Sequence, residues 1–171
     1  MTTLTPKQKE ARRKKSLGEL GELFAIKALV DRGGYNNIEN LNDKTSNEKF
    51  ADLLCEKKGE KIVISVKARN KYNIDGKLNA HYNLCEKPCN KAKDIEKKYN
   101  AKAYWMAIQF DADTYSVYFG SLASLDNLKK SDGKPYKSIS IPIKKCKNGQ
   151  IGEIWVDKKR HFFDFDFYKN K

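Results

Sequence analysis

The sequence lacks any run of about 18 apolar residues, the minimum that suggests a membrane-spanning helix, and its N-terminus lacks the apolar stretch of a secretory signal. Both absences point to a cytoplasmic protein. Histidine is scarce, and neither of the two, His81 and His161, stands in a pattern that suggests a catalytic base. The four cysteines, Cys55, Cys85, Cys89 and Cys146, are too few for a disulfide scaffold, so reduced thiols are expected. His81, Cys85 and Cys89 recur at a four-residue spacing, and Cys146 could complete a zinc set. Pro88 interrupts a helix through them, and the spacing is not that of a short knuckle, which argues against zinc. Internal repeats and low-complexity linkers are missing too.

Acidic residues are outnumbered: 22 Asp and Glu against 35 Lys and Arg leave a net charge of +13. Such a surface attracts polyanions without regard to sequence and in a salt-sensitive way, so nucleic acid is the leading partner. The plain alternative is a Lys-rich surface that serves solubility. With 39% hydrophobic and 33% charged residues the composition is that of a globular protein. A length of 171 residues suits a single domain over 1–171.

"TPKQ" opens a helix, with Thr5 as cap, Pro6 at the first helical position and Gln8 reaching back. The helix is expected from Pro6 to Asp31, stopped by Gly33 and Gly34. A strand over Tyr35–Leu41 follows, then the polar loop "NDKTSNEK", then a hairpin of "FADLLC" and "KIVISVKA" turning through Lys57 to Gly59. A second helix is expected from near Pro88 to Tyr99, and "AKAYWMAIQF" and "TYSVYFG" read as strands. The C-terminal third reads as a short helix near Leu122–Leu128 and strands in "SISIPIK", "IGEIWV" and "HFFDFDF". The order is α-β-β-β-α-β followed by mostly β.

The strand "IVISVKAR", Ile62 to Arg69, ends an apolar run on a lysine, a charge that is costly to bury. A turn centred between Lys58 and Gly59 pairs residues whose numbers sum to about 117, which sets Asp52 opposite Ser65. Alternation puts Ser65 and Lys67 on that same face. On the first helix Gly18, Gly21, Glu22, Ala25, Ala28 and Leu29 form one stripe, in which Glu22 is the exception among small or apolar residues. Glycines inside a helix each cost about 1 kcal/mol against alanine, so their presence implies a backbone seated closely on the sheet, carrying Glu22 toward the hairpin. Leu20, Leu23, Phe24 and Ile26 are expected to anchor a second face. Two carboxylates of this kind can hold Mg²⁺, which neutralises phosphate oxygens and activates water. A lysine beside them can orient that water or stabilise developing charge.

On "GELGELFAIKALVDRGGY", Asp52 in "FADLL", and "SVKAR", the segment from about Lys15 to Arg69 resembles the PD-(D/E)XK nuclease superfamily, especially archaeal Holliday-junction resolvases and compact type II restriction endonucleases. The resemblance implies an α/β restriction-endonuclease-like fold, with a mixed central sheet flanked by helices and, here, a β-rich C-terminal extension. It further implies a Mg²⁺-dependent DNA endonuclease, with Mn²⁺ as a substitute, acting on duplex or branched DNA as a homodimer. Carried onto this chain, Asp52 is the principal metal ligand, Glu22 the assisting helix acid, the Val66 carbonyl a further ligand and Lys67 the catalytic lysine. Ser46 matches a loop serine of the resolvases. The chain departs from the pattern at Ser65, where the superfamily carries an acid or glutamine, and at Ala51, where it carries proline. A serine hydroxyl contributes less to holding Mg²⁺, which leaves three possibilities: weaker metal binding, a more direct role for Glu22, or loss of catalysis. The alternative reading is therefore a non-catalytic nucleic-acid-binding module on the same scaffold. A basic protein–protein adaptor is a third, distinguished by DNA binding that is absent or indifferent to salt.

Past Lys67, the residues Arg69, Lys71 and Tyr72 are placed for contacts along a nucleic-acid backbone. The helix segment "KQKEARRKK", with Arg12, Arg13, Lys14 and Lys15, is either a solvated face or a phosphate-binding one.

Overall fold

The computed structural model describes residues 5–43, 50–73, 75–126, 128, 133 and 137–161. Helix α1 (Pro6–Arg32) begins with the expected capping box: Thr5 Oγ1 accepts from the Gln8 N–H at 3.3 Å, and the Thr5 N–H donates to Gln8 Oε1 at 2.9 Å. It ends at Gly33, whose φ of 72° is cheap only for glycine and whose N–H donates to the Leu29 and Val30 carbonyls.

Strand β1 (Tyr35–Asn40) leads into a single 3-10 turn over Leu41–Asp43, and the hairpin is β2 (Leu53–Lys57) with β3 (Glu60–Asn70). Leu53 pairs with Ile64 and Cys55 with Ile62, so the pairing sum of 117 expected from the turn is the register observed. Helix α2 (Asn90–Tyr99) then crosses to β5 (Lys102–Asp111), which lies parallel to β3. Antiparallel β6 (Thr114–Ser121) and β8 (Glu153–Arg160) complete a six-stranded mixed sheet ordered β1-β2-β3-β5-β6-β8. The α-β-β-β-α-β order is present with one extra strand before α2, and the arrangement is consistent with a restriction-endonuclease-like fold.

That extra strand, β4 (His81–Glu86), pairs with β7 (Ser138–Pro142) in a separate two-stranded ribbon. The sequence reading has no strand at β4, because "HYNLCE" alternates too weakly to stand out without its partner. "SISIPIK" also divides: after β7 the chain coils into α4 (Ile143–Lys147), and α3 (Ala123–Asp126) is shorter than expected. Only His161 of "HFFDFDF" lies within the described residues.

Each face of the sheet has its own apolar layer. Leu17, Phe24, Ala25, Ala28 and Leu29 of α1 pack on Ile62, Ile64, Val66 and Ala68. On the other face α2 and the ribbon pack Ala92, Ile95, Tyr82 and Ile141 against Val63, Trp105 and Ala107. Leu23 does not join the core as expected. It is 63% exposed, because α1 turns its side chain away from the sheet. The expected close seat of α1 belongs to one glycine: a Cβ on Gly21 would lie 2.4 Å from the Ala68 Cβ, whereas one on Gly18 would meet nothing.

The expectation of reduced thiols fails for one pair. Cys85 and Cys89 form a disulfide, their Cα atoms 5.7 Å apart where β4 gives way to the start of α2, within the range such a bridge requires. Cys55 and Cys146 are free and buried, and burial pushes both thiols up to about 12. Among the described residues no helix is long and apolar enough to cross a membrane.

Gly21→Ala should destabilise the fold by about 1–3 kcal/mol, as overpacking does in close-packed cores. Ala68→Gly in the same chain should recover part of the loss. Denaturant unfolding of the two single variants and the double variant reads that coupling.

Candidate active site

The site forms where β2 and β3 part. The Asp52 N–H still donates to the Ile64 carbonyl at 2.9 Å, but two residues further along β3 no backbone partner arrives from β2. The Val66 N–H donates instead to Asp52 Oδ2 at 2.7 Å. Asp52 is thereby held in the gap between the strands. An extended residue points its N–H and C=O to the same side, so the Val66 carbonyl faces the gap that holds the Asp52 carboxylate. Just upstream, Phe50 has a φ of 80°, a conformation that bulky residues rarely adopt, and there the chain turns into the site.

Glu22 reaches the gap from α1. Its Oε2 accepts from Asn40 Nδ2 at 2.9 Å and its Oε1 from Asn42 Nδ2 at 3.0 Å. The same Asn42 amide lies 3.5 Å from Asp52 Oδ1, so it spans the two acids. Asn40 is itself pinned, its Oδ1 accepting the Asn42 N–H at 2.9 Å. These asparagines were not singled out from sequence. "ENLND" does carry a signal, since an asparagine whose side chain binds the backbone two residues on is a common turn device, but it does not tell which acid the turn will face.

The electrostatics are those of two acids crowded at the edge of a sheet. Burial pushes the Asp52 carboxyl above the usual range, opposed by the nearby Lys67 ammonium, the Val66 N–H and Asn42. Burial also raises Glu22, opposed by the Asn40 and Asn42 amides and reinforced by the negative charge of Asp52. Asp52 is therefore an electrostatic neighbour of both Glu22 and Lys67. Ser65 is different: it is 1% exposed, and its Oγ is buried without a hydrogen-bond partner. Alternation places it beside Trp105 of β5, on the α2 face of the sheet, with its hydroxyl unused.

No group of three or more His, Cys, Asp or Glu side chains among the described residues is arranged to hold a metal. The donors present still suit Mg²⁺, a hard cation commonly held by only one or two carboxylates together with waters and substrate oxygens. Glu22, Asp52 and the Val66 carbonyl would supply the protein ligands, and the repulsion between the two acids is what a divalent charge relieves.

The proposed nucleic-acid residues divide. Arg13, Lys14, Arg69 and Tyr72 come together around one cavity of about 630 Å³. Arg12 is exposed, and Lys15 pairs with Glu19 at 3.7 Å. Lys71 is drawn into an ion pair with Asp111 at 2.6 Å. Ser46 lies outside the described residues.

Glu22 and Asp52 hold their protons to higher pH in the folded chain than in the unfolded one. Stability is therefore lost as pH rises from about 4 through the raised values. Asp52→Asn should raise the thermal midpoint at pH 7 by about 2–4 °C, roughly what 1 kcal/mol does in a chain of this size, and Glu22→Gln, whose carboxyl is more open to water and its screening, should raise it by less. The gain should vanish near pH 4, and thermal unfolding at both pH values checks it.

No family model matches the chain, and no curated protein matches it. Among solved structures it is similar to Hjc from Archaeoglobus fulgidus, described as a Holliday junction resolvase from an archaeal hyperthermophile. The identity is 14%, the match covers 72% of this chain and 85% of that one, and the TM-score is 0.47.

Proposed function

We propose that the protein is a Mg²⁺-dependent DNA endonuclease that hydrolyses phosphodiester bonds with Glu22, Asp52 and Lys67. The observation that carries this reading is the Asp52 carboxylate fastened to the Val66 N–H at 2.7 Å, with Glu22 linked to it through Asn42 and Lys67 close enough to act on its charge. Closing the strand end accounts for one acceptor in this gap, but stability gives no reason to add Glu22 beside Asp52, whose negative charge raises the cost of ionising it.

A divalent cation bound there supplies neutralisation of phosphate oxygens and a lowered pKa for a coordinated water. The chain's own residues do the rest. Asp52 is oriented by the backbone of β3, and Glu22 by two amides, so neither must be ordered when substrate arrives. The Lys67 ammonium orients the attacking water or meets the charge that develops on the phosphate. The net charge of +13 favours a polyanionic substrate. Cutting both strands of a duplex in one encounter calls for two sites, which a homodimer would provide.

The buried, unpartnered Ser65 hydroxyl favours the second reading, a nucleic-acid-binding module that keeps this scaffold without catalysis. Plasmid nicking in Mg²⁺ or Mn²⁺ separates the two. Asp52→Ala and Lys67→Ala should each lower the rate by about 10²–10³, whereas equal residual activity in wild type and both variants supports the binding module. A thermal midpoint that Mn²⁺ raises in wild type but not in Asp52→Ala would report the metal site independently of turnover.

A further inference from the structure

Between the basic end of α1 and the loop from Asn70 to Asn79 lies the cavity of about 630 Å³, a volume typical of small-ligand sites. Its walls carry the cations Arg13, Lys14 and Arg69, the ring of Tyr72, and the amides of Asn73 and Asn79. Backbone bonds tie the described residues of this loop together. Tyr72 bridges to Leu78, the Asn73 N–H donates to the Lys77 carbonyl at 2.7 Å, and the Asn79 N–H donates to the Lys71 carbonyl at 2.8 Å. Asn79 Nδ2 adds a bond to the Asn70 carbonyl at 2.7 Å.

Two large apolar side chains here lie outside both core layers, Tyr72 at 48% and Leu78 at 53% exposure. The ring is also steadied: Lys71 Nζ lies 5.1 Å from the Tyr72 centroid while it is paired to Asp111 at 2.6 Å. Neither core layer accounts for an aromatic ring left half exposed on a cavity whose walls carry three cations. A nucleobase stacked on it does, since such stacking is a main source of affinity for unpaired strands.

The charges decide between a nucleotide and a free anion. Glu10 also lines the cavity and already engages Arg13 at 3.1 Å and Lys14 at 3.2 Å, while Asp75 pairs with Lys77 at 3.0 Å. A small anion would have to compete with those carboxylates. A nucleotide brings a phosphate to the Arg69 edge, amide-matched base edges, and a face for the ring. Arg69 lies two residues past Lys67, about 7 Å along the strand, which puts this edge of the cavity near the candidate active site.

We propose that this cleft binds one unpaired nucleotide of a DNA strand, with its base against Tyr72 and its phosphate toward Arg69, near the bond to be cut. The proposal rests on the nucleic-acid part of the function proposed above.

The test is fluorescence titration of the full chain in EDTA, where cleavage cannot intervene. It compares a fully paired DNA duplex with the same duplex carrying a single 2-aminopurine bulge. The bulged duplex should bind about 10-fold more tightly or better, with the 2-aminopurine quenched by stacking. Tyr72→Ala should collapse the ratio of the two affinities and abolish the quench, and Tyr72→Trp should restore both, with thermal midpoints confirming that each variant folds. Equal affinity for the two duplexes, an unquenched base, or a quench that survives Tyr72→Ala would overturn the proposal. Tighter binding of the same bulge in RNA would overturn the assignment to DNA. Cleavage is read separately: a bulge preference without nicking in Mg²⁺ keeps this site and removes the nuclease, and nicking with equal affinities does the reverse. Binding to neither duplex overturns this proposal along with the nucleic-acid reading.

Discussion

The bond from the Val66 N–H to the Asp52 carboxylate is the constraint on which the candidate site depends. Where β2 parts from β3, an amide loses its ladder partner, and an unpaired buried N–H carries a penalty of about 1–3 kcal/mol. Asp52 removes that penalty and is oriented by doing so. One interaction thus closes the end of a strand pair and fixes an acid in a gap that also receives Glu22, the Val66 carbonyl and the field of Lys67. Fold and chemistry are coupled here, because the acid cannot move without leaving the strand end open.

The helix makes its contribution through closeness. Gly21 lets the backbone of α1 settle against Ala68, and the residue that follows it, Glu22, is delivered to the amides of Asn40 and Asn42. Those asparagines sit at the end of β1 and in the turn after it, so two separated segments, α1 and this stretch, meet at one carboxylate. The cost is electrostatic, since burial raises both acids and the negative charge of Asp52 adds to the rise at Glu22. Such a cost is commonly retained where function uses it.

Much of the architecture was legible in the sequence because its signals were local. The Thr5–Gln8 capping box, the Gly33 stop and the tight turn after Lys57 each specify their element from a few neighbouring residues, and the turn carried the hairpin register with it. Signals that needed a distant partner were missed. Strand β4 becomes a strand only against β7, more than fifty residues away, and the Cys85–Cys89 bridge depends on how β4 meets α2. Leu23 looked like core because a helix period does not say which of two adjacent stripes the sheet will cover.

By itself the sequence determined the α-β-β-β-α-β order of the core elements, the face-to-face register of the hairpin, the basic character of the surface and the short set of acids and lysine worth examining. Tertiary structure alone decided that Asp52 lies in a gap between strands, that Ser65 is turned under Trp105 with its hydroxyl unused, and that two asparagines, not a third acid, complete the surroundings of Glu22. The division follows from range. Backbone propensity and side-chain alternation act over a few residues, whereas a site built from α1, β1, β2 and β3 exists only once close packing has brought those segments together.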